Sequence, residues 1–256
     1  MNNRSLEQKV VVVTGSAGGI GKVIALEMAR RKAHVVVNSR SAEKLEGLVE
    51  ELEKAGGRAL SVAADLRDPD QVRELVETTR RQFGRIDVLV NNAGGRFVAP
   101  AEKISPNGWR SVVDTNLTSA FLCAQAVFPL MTEQGGGRII NISSVAGLDG
   151  YAGEAHYAAA KSGLNNLTAT LAVEWARHGI QVNCVAPGAV LTEASSFTDP
   201  GFRNEVEAAV PGGRIGHPEE IAELVLFLAG MQGTYLNGET IRIDGAVHSG
   251  LPSPHP

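Results

Sequence analysis

The segment Val10-Val-Val-Val-Thr-Gly-Ser-Ala-Gly-Gly-Ile-Gly21 decides the fold of this chain. Its four consecutive valines are typical of a β-strand that is buried on both faces, as in a parallel sheet. A helix follows directly, because Ile20, Ile24 and Met28 continue at helical spacing, and a second β-branched run starts at Val35. This part of the sequence therefore predicts a strand, a glycine loop, a helix and a second strand.

The glycine loop has the composition of a phosphate-binding turn. Glycine permits tight turning and close approach of the backbone, and the helix N-terminus offers free N–H groups and a positive dipole end to a pyrophosphate. A plain turn is the alternative, but the position between a buried strand and a helix favours a dinucleotide site. We predict that Gly15, Gly19, Ile20 and Gly21 contact the cofactor.

The alternation of strands and helices continues without a linker or a repeat. Strands are predicted at 10–13, 35–37, 59–63, 86–90, 138–142, 180–185 and 240–243, and helices at 20–30, 41–55, 72–83, 108–131, 153–177 and 219–228. This order favours one domain over residues 1–256, an α/β Rossmann-type doubly wound parallel sheet of about seven strands with helices on both faces. The polar segment 193–213 has the weakest core pattern, so we expect a mobile substrate lid there and a short tail at 251–256.

Composition excludes several classes of function. The 256 residues carry a net charge of -4 without a sustained basic block, which argues against nucleic acid or an anionic membrane as a partner. Apolar runs stay below the ~20 residues that span a bilayer, and no secretory signal is visible, so we expect a cytoplasmic protein. Cys123 and Cys184 lie in apolar segments and are expected to be free buried thiols, which leaves no cysteine metal site.

Small and polar residues follow the carboxyl ends of several predicted strands, where ligands bind in open α/β sheets. We predict cofactor contacts at Asp65, Leu66, Asn92, Ala93, Gly94, Pro187, Gly188, Val190 and Thr192. Asp65 has two possible roles, since its carboxylate could accept a hydrogen bond from an adenine amine or cap the helix near Pro69. Because so many such residues share one edge of the sheet, a ligand site is favoured over unrelated turns.

Tyr157-Ala-Ala-Ala-Lys161 is the candidate catalytic segment. Residues four apart lie on one face of a helix, so the phenol and the ammonium can point into one cleft. A free phenol titrates near pH ~10, and a fixed cation beside it favours proton exchange with a substrate oxygen nearer neutrality. Ser144 ends the preceding strand with a hydroxyl that can hold the same oxygen. Taken alone, the Tyr-x-x-x-Lys pattern also arises by chance in exposed helices.

Asn116 is the unusual residue of the long apolar helix at 108–131. Asparagine is unfavourable inside a helix and costly when it is buried without partners. We therefore expect its amide to be hydrogen-bonded within the protein or to ordered water.

The chain closely resembles the short-chain dehydrogenase/reductase family over almost its whole length. The motifs that carry the resemblance are Thr14-Gly15-x-x-x-Gly19-x-Gly21, Asp65, Asn91-Asn92-Ala93-Gly94, Asn116, Ser144, Tyr157-x-x-x-Lys161, Pro187-Gly188 and Thr192. The resemblance implies that Tyr157 is the acid/base, that Lys161 binds the nicotinamide ribose and lowers the pKa of Tyr157, and that Ser144 positions the substrate. It also implies a water-linked proton relay at Asn116 and hydride transfer at the nicotinamide ring.

Three further segments are similar to the branch that contains peroxisomal trans-2-enoyl-CoA reductases and 3-oxoacyl reductases. They are Gly94-Gly-Arg-Phe-x-x-Pro100, Leu171-Ala-Val-Glu-Trp175 and Arg214-Ile-Gly-x-Pro218. The substrate expected from this resemblance is a 3-oxoacyl thioester or a small ketone. An enoyl thioester reductase and a non-catalytic dinucleotide sensor are the alternatives.

Cofactor choice is predicted from the end of the second strand, where the adenosine ribose should lie. NAD-specific sites commonly place an acid at this turn, and that acid repels a 2'-phosphate. Here Ser39 and Arg40 occupy the turn, and both can bind phosphate oxygens. We therefore predict NADP(H) over NAD(H), although Arg40 could instead point to solvent.

The large apolar faces of the helices at 108–131 and 153–177 predict a homotetramer, as is common in the resembled family.

Overall fold

The computed structural model describes residues 6–193, 195–230 and 235–247. A parallel sheet forms the centre of this part of the protein. Its strands are β1 (Val10–Val13), β2 (His34–Ser39), β3 (Arg58–Ala63), β4 (Val88–Asn91), β5 (Gly137–Ile142), β6 (Ile180–Pro187) and β7 (Thr240–Ile243). They lie in the order β3-β2-β1-β4-β5-β6-β7, and every neighbouring pair is parallel. The predicted α/β class and seven-stranded sheet are confirmed.

Eight α-helices connect the strands in the described residues. They are α1 (Gly19–Arg30), α2 (Leu48–Lys54), α3 (Pro69–Phe83), α4 (Pro106–Val113), α5 (Ser119–Glu133), α6 (Ala155–Trp175), α7 (Pro200–Ala209) and α8 (Pro218–Gly230). A π-helical turn, Asp114–Thr118, joins α4 to α5. The long helix predicted at 108–131 is therefore present, with a local bulge at Asn116.

The core has two layers, one on each face of the sheet. Alternate strand residues such as Val11 and Val13 pack with α1, α2 and α8. Their neighbours Val10 and Val12 face α3, α5 and α6 on the other side. This alternation follows from the period of two along a strand, and it explains why the valine run is apolar throughout.

The sequence predicts one continuous helix at 41–55, and this prediction is wrong because the helix is interrupted. A short 3₁₀ turn, Glu43–Leu45, is followed by a break at Gly47 and then by α2. Gly47 has φ +79, a left-handed conformation that glycine adopts without steric cost and that interrupts a right-handed helix. The leucines at helical spacing still face the core, since Leu45, Leu48 and Leu52 are all buried.

The segment predicted as a lid contains α7 and a small apolar cluster of its own. Val206 and Val210 pack there with Ile215 and Val247, and Phe197 and Phe202 lie against the cluster. The mobility of this segment stays a prediction, and the tail at 251–256 lies outside the described residues.

Cys123 and Cys184 are buried and free, as predicted. Among the described helices, none is long and apolar enough to cross a bilayer.

Candidate active site

A cleft of about 860 Å³ opens at the carboxyl ends of the strands. The strand order reverses between β1 and β4, and this switch point is where doubly wound sheets bind ligands. Every residue predicted for the site lines this cleft: Gly15, Gly19, Ile20, Gly21, Ser39, Arg40, Asp65, Leu66, Asn92, Ala93, Gly94, Asn116, Ser144, Tyr157, Lys161, Pro187, Gly188, Val190 and Thr192. The fold therefore brings together residues that were selected from separate motifs.

Asn92 holds the glycine loop against the end of β4. Its amide donates hydrogen bonds of 2.9 Å to the Thr14 carbonyl and 3.0 Å to the Gly15 carbonyl. Gly15 has φ +60, and a Cβ atom there would lie 2.7 Å from the Ala93 Cα atom. Only glycine fits at this position, because both the backbone conformation and the close approach exclude a side chain. Asn92 therefore acts on the loop through its amide, in addition to lining the cleft.

A dinucleotide fits this cleft. Gly18 is the N-cap of α1 and supplies no side-chain hydrogen bond to the first turn of the helix. The N–H groups of that turn can therefore donate to a phosphate. Gly19 has φ +52 and lies beside the Thr192 side chain, so the loop presents backbone to the cleft. Arg40, Lys44 and Arg67 line the end of the cleft beside β2 and β3, called here the cationic end, and the hydroxyl groups of Ser144 and Tyr157 line the other, called the hydroxyl end.

Asp65 is held by Arg67 at the cationic end of the cleft. Its carboxylate accepts from the Arg67 backbone N–H at 3.1 Å and from the guanidinium Nε at 2.9 Å. The Arg67 hydrogen bond is the largest cause of the lowered pKa of Asp65, and the charge of Arg40 adds to it. The alternative that Asp65 caps the next helix is wrong, because the N-cap of α3 is Asp68, whose side chain accepts from the Asp70 N–H. The adenine contact of Asp65 stays a prediction.

Tyr157 and Ser144 come together at the other end. Tyr157 lies in the first turns of α6, and Ser144 follows β5 in extended conformation. Burial raises the pKa of the Tyr157 phenol above its usual value of 10, while the charge of Arg96 and a hydrogen bond with Ser144 act in the opposite direction. The expectation that Lys161 lowers the pKa of Tyr157 is wrong for this structure, because burial has the larger effect and the opposing cation is Arg96. The phenol is therefore protonated at neutral pH, as a proton donor to a carbonyl oxygen must be.

Lys161 lies one helical turn after Tyr157 and is almost completely buried. Its ammonium donates a 2.8 Å hydrogen bond to the Ile142 carbonyl at the end of β5. Burial lowers the pKa of Lys161 to about 8, partly offset by the nearby Cys184 thiol. A Cβ atom on Gly94 would lie 3.5 Å from the Lys161 Nζ atom, so this glycine keeps the space beside the ammonium open.

Asn116 is buried in the π-helical turn and is fully engaged with backbone. Its amide nitrogen donates to the Gly95 carbonyl at 2.7 Å and to the Val112 carbonyl at 2.8 Å, and its oxygen accepts from the Gly95 N–H at 3.2 Å. The expected hydrogen bonding within the protein is confirmed. These bonds tie the loop after β4 to the π-helical turn, and a role in proton relay stays a prediction.

Several lining residues were not selected from the sequence. Lys44 and Arg67 lie at the cationic end, and Arg96 lies at the hydroxyl end. The Arg96 Nε atom pairs at 2.7 Å with the carboxylate of Glu154, a residue that is only 6% exposed. In the sequence, Arg96 is a single cation directly after the Asn91–Gly95 turn, and this position could have identified it as a site residue. No neighbouring residue indicates that Glu154 is its partner.

Comparison with known proteins identifies the family. Residues 9–201 match the model of the short chain dehydrogenase family. The chain belongs to this family. It is 40% identical to the 3-oxoacyl-[acyl-carrier-protein] reductase of Thermotoga maritima over 242 residues, which cover 94% of this chain and 98% of the relative. It is 38% identical over 247 residues to a Bacillus subtilis protein named Probable 2,4-dienoyl-CoA reductase, covering 94% and 96% of the two chains.

Solved structures of other short-chain dehydrogenases have the same fold. A short-chain dehydrogenase from Bacillus anthracis superposes with a TM-score of 0.87 at 41% identity, covering 95% of this chain and 98% of the other. A short-chain type dehydrogenase/reductase from Mycobacterium marinum gives a TM-score of 0.91 at 36% identity, with 96% and 97% covered. As a member of this family, the protein is an NAD(P)-dependent oxidoreductase that acts on C=O and CH–OH groups.

Proposed function

We propose that the protein reduces the ketone of a 3-oxoacyl thioester with NADPH. One observation supports this proposal most strongly: Ser144, protonated Tyr157 and buried Lys161 lie together at one end of a dinucleotide-sized cleft. Relatives named 3-oxoacyl-[acyl-carrier-protein] reductase, which match nearly the whole chain, support the choice of substrate.

Each group has a distinct task in this reaction. The nicotinamide cofactor supplies the hydride that reduces the carbonyl carbon. Ser144 donates a hydrogen bond to the carbonyl oxygen, and Tyr157 transfers its phenolic proton to that oxygen as negative charge develops. Lys161 binds the nicotinamide ribose, and its charge stabilises the phenolate that remains on Tyr157. Asn116 keeps the loop that carries Gly94 and Gly95 in place beside these groups.

The charge balance at the adenosine end supports NADPH over NADH. Three cations, Arg40, Lys44 and Arg67, line this end of the cleft, together with Asp65. Arg67 already pairs with Asp65, whereas Arg40 and Lys44 form no ion pair with any described residue, so their positive charge remains available to a ligand. Such a site favours a 2'-phosphate.

Enoyl thioester reduction is the second candidate. The similar Bacillus subtilis protein is named as a dienoyl-CoA reductase, which supports reduction of a C=C bond in an unsaturated thioester as a reaction class. Carbonyl reduction needs a proton on oxygen, which Ser144 and Tyr157 suit. A panel of small ketones, 3-oxoacyl thioesters and enoyl thioesters, followed by NADPH absorbance, tests the proposal. We expect the highest kcat/KM for the 3-oxoacyl thioester. Preference for the enoyl thioester would support the second candidate, and tight cofactor binding without turnover would indicate a sensor.

Assembly as a homotetramer is part of the proposal. Apolar side chains remain exposed on α5 and α6, the helices whose apolar faces predict a homotetramer: Val173 on α6 is 82% exposed and Phe121 on α5 is 38% exposed. Exposed apolar side chains on neighbouring helices are typical of surfaces that other subunits cover. Light scattering at micromolar protein should give four times the mass of one chain, and a monomer would refute this part.

A further inference from the structure

Arg96 is a cation beside the catalytic phenol that the proposed reaction does not yet use. Its guanidinium carbon lies 5.4 Å from the centre of the Tyr157 ring. Lys161 lies at a similar distance of 5.6 Å, but its ammonium is buried and bonded to the Ile142 carbonyl. The Arg96 side chain is instead 39% exposed and lines the cleft. It is therefore accessible to a substrate that is bound at Tyr157.

Glu154 fixes the position of Arg96. The carboxylate is buried and pairs with the Nε atom, so the guanidinium is held at its inner edge. Among the described residues, no other acid lies within ion-pair distance of this guanidinium. The guanidinium interacts with the Tyr157 phenol, and no second acid occupies its terminal nitrogens, so they can also donate to a ligand that is bound at Tyr157. A guanidinium fixed in this way loses little conformational entropy when it donates a further hydrogen bond.

We propose that Arg96 donates a hydrogen bond to a second carbonyl oxygen of the substrate and so selects 1,3-dicarbonyl thioesters over simple ketones. The inference rests on the proposed function and names the group that recognises the thioester end. Tyr157 and Ser144 hold the oxygen of the ketone. The thioester carbonyl is two carbons further along the chain, and a donor placed over the Tyr157 ring can reach it.

The charge of the Arg96–Glu154 pair is compatible with a neutral acceptor. Because Glu154 neutralises Arg96, the pair has no net charge and does not require an anionic ligand. A neutral carbonyl oxygen can therefore accept a charge-assisted hydrogen bond from the guanidinium. The aromatic side chains of Phe97, Phe197 and Phe202 also line the cleft and suit an uncharged chain.

The test compares a short 3-oxoacyl thioester with a methyl ketone of matched length that lacks the thioester carbonyl. For Arg96→Met, we expect the ratio of the two kcat/KM values to fall by about 10- to 100-fold, the range that a charge-assisted hydrogen bond provides. Arg96→Lys should lose part of this preference, because it keeps the charge but not the planar fork. Arg81→Met, which removes an exposed arginine paired with Glu74 on α3, serves as the control.

The double variant Arg96→Met/Glu154→Gln avoids leaving a buried unpaired carboxylate that could impair folding. It should show the same fall in the ratio. Any effect of Arg96 on Tyr157 itself lowers the rate of both substrates and cancels in the ratio. Equal losses for both substrates would overturn this inference and leave the proposed function intact. If the wild type reduced only the enoyl thioester, the proposed function would fail, and this inference with it.

Discussion

The ammonium of Lys161 lies 5.6 Å from the centre of the Tyr157 ring, yet it donates its 2.8 Å hydrogen bond to the Ile142 carbonyl. Burial raises the pKa of Tyr157 in this arrangement, and the cation that opposes the rise is Arg96. The phenol therefore starts as an acid, suited to reduction. The helical spacing of the two residues aligns them, as the sequence indicates, while burial sets their protonation.

Tyr157→Phe should abolish most turnover and leave cofactor affinity nearly unchanged. The substitution deletes the proton donor and very little volume, so kcat should fall by ~10²- to 10⁴-fold, the usual worth of general acid catalysis. Steady-state kinetics and fluorescence titration with NADPH measure the two effects. Tyr235→Phe is the matched control, because that ring is fully exposed. Retention of more than about a tenth of the wild-type kcat would contradict the acid role.

Lys161 should take up a proton when the cofactor binds. Burial holds its pKa at about 8, and ribose hydroxyls with a nearby pyrophosphate favour the charged ammonium, so binding raises this pKa. Near pH 8, up to about half a proton should therefore be absorbed per site. The pKa of Tyr157 is raised above 10, so the phenol does not contribute at this pH.

Calorimetry of NADPH binding in two buffers of different ionisation enthalpy measures this uptake. It should disappear in Lys161→Met, which should also bind NADPH more weakly. Lys54→Met, at an exposed lysine paired with Glu50, should behave as wild type. Binding enthalpies that do not depend on the buffer would show that Lys161 stays in one protonation state.

Local patterns were sufficient for most of the fold and the site. The valine run, the glycine loop and the Tyr157–Lys161 spacing each depend on a few neighbouring residues, and the parallel topology then brings the strand ends together. The N-cap of α3 could also be predicted from the sequence, because Asp68 directly precedes Pro69 and proline is favoured at the first helical position. Asp65 lies two residues after β3 and is three residues too early to be the cap.

Contacts between distant segments could not be predicted in the same way. The Arg96–Glu154 pair joins the loop after β4 to the start of α6, and a charge pattern in one segment does not identify its partner in another. Lys44 was missed for a local reason. It lies in the 3₁₀ turn before Gly47, where a continuous helix was expected, so its place at the cleft was not evident.

Gly21→Ala should destabilise the protein although alanine is the better helix former. A Cβ atom at this position would lie 2.4 Å from the Asn92 amide nitrogen and 2.7 Å from the Gly15 carbonyl oxygen. The clash should push the glycine loop away from Asn92 and lower the free energy of unfolding by about 1–3 kcal/mol, as overpacking does. Urea denaturation measures this change. Gly150→Ala is the control, because no atom of the described residues would lie within 4 Å of the added Cβ atom. Equal midpoints for the two variants would contradict the prediction.

Arg40 should determine the preference for NADPH. It is exposed at the cleft and close enough to influence Asp65, whose pKa its charge lowers, but it forms no ion pair among the described residues. In NADPH complexes its guanidinium is expected to bind the 2'-phosphate, with the Ser39 hydroxyl beside it. Wild type should therefore give the higher kcat/KM with NADPH than with NADH.

Arg40→Ala should lose ~1 to 3 kcal/mol of this preference, the scale of hydrogen bonds to a charged group. The loss should appear almost entirely with NADPH, because NADH has no phosphate at that position. Lys44→Ala should have a smaller effect of the same sign, since a flexible ammonium binds phosphate as a point charge. The kcat/KM values of wild type and both variants with each cofactor decide the matter. Equal use of both cofactors by wild type, or an unchanged preference in Arg40→Ala, would show that the turn at Ser39 and Arg40 does not recognise the 2'-phosphate.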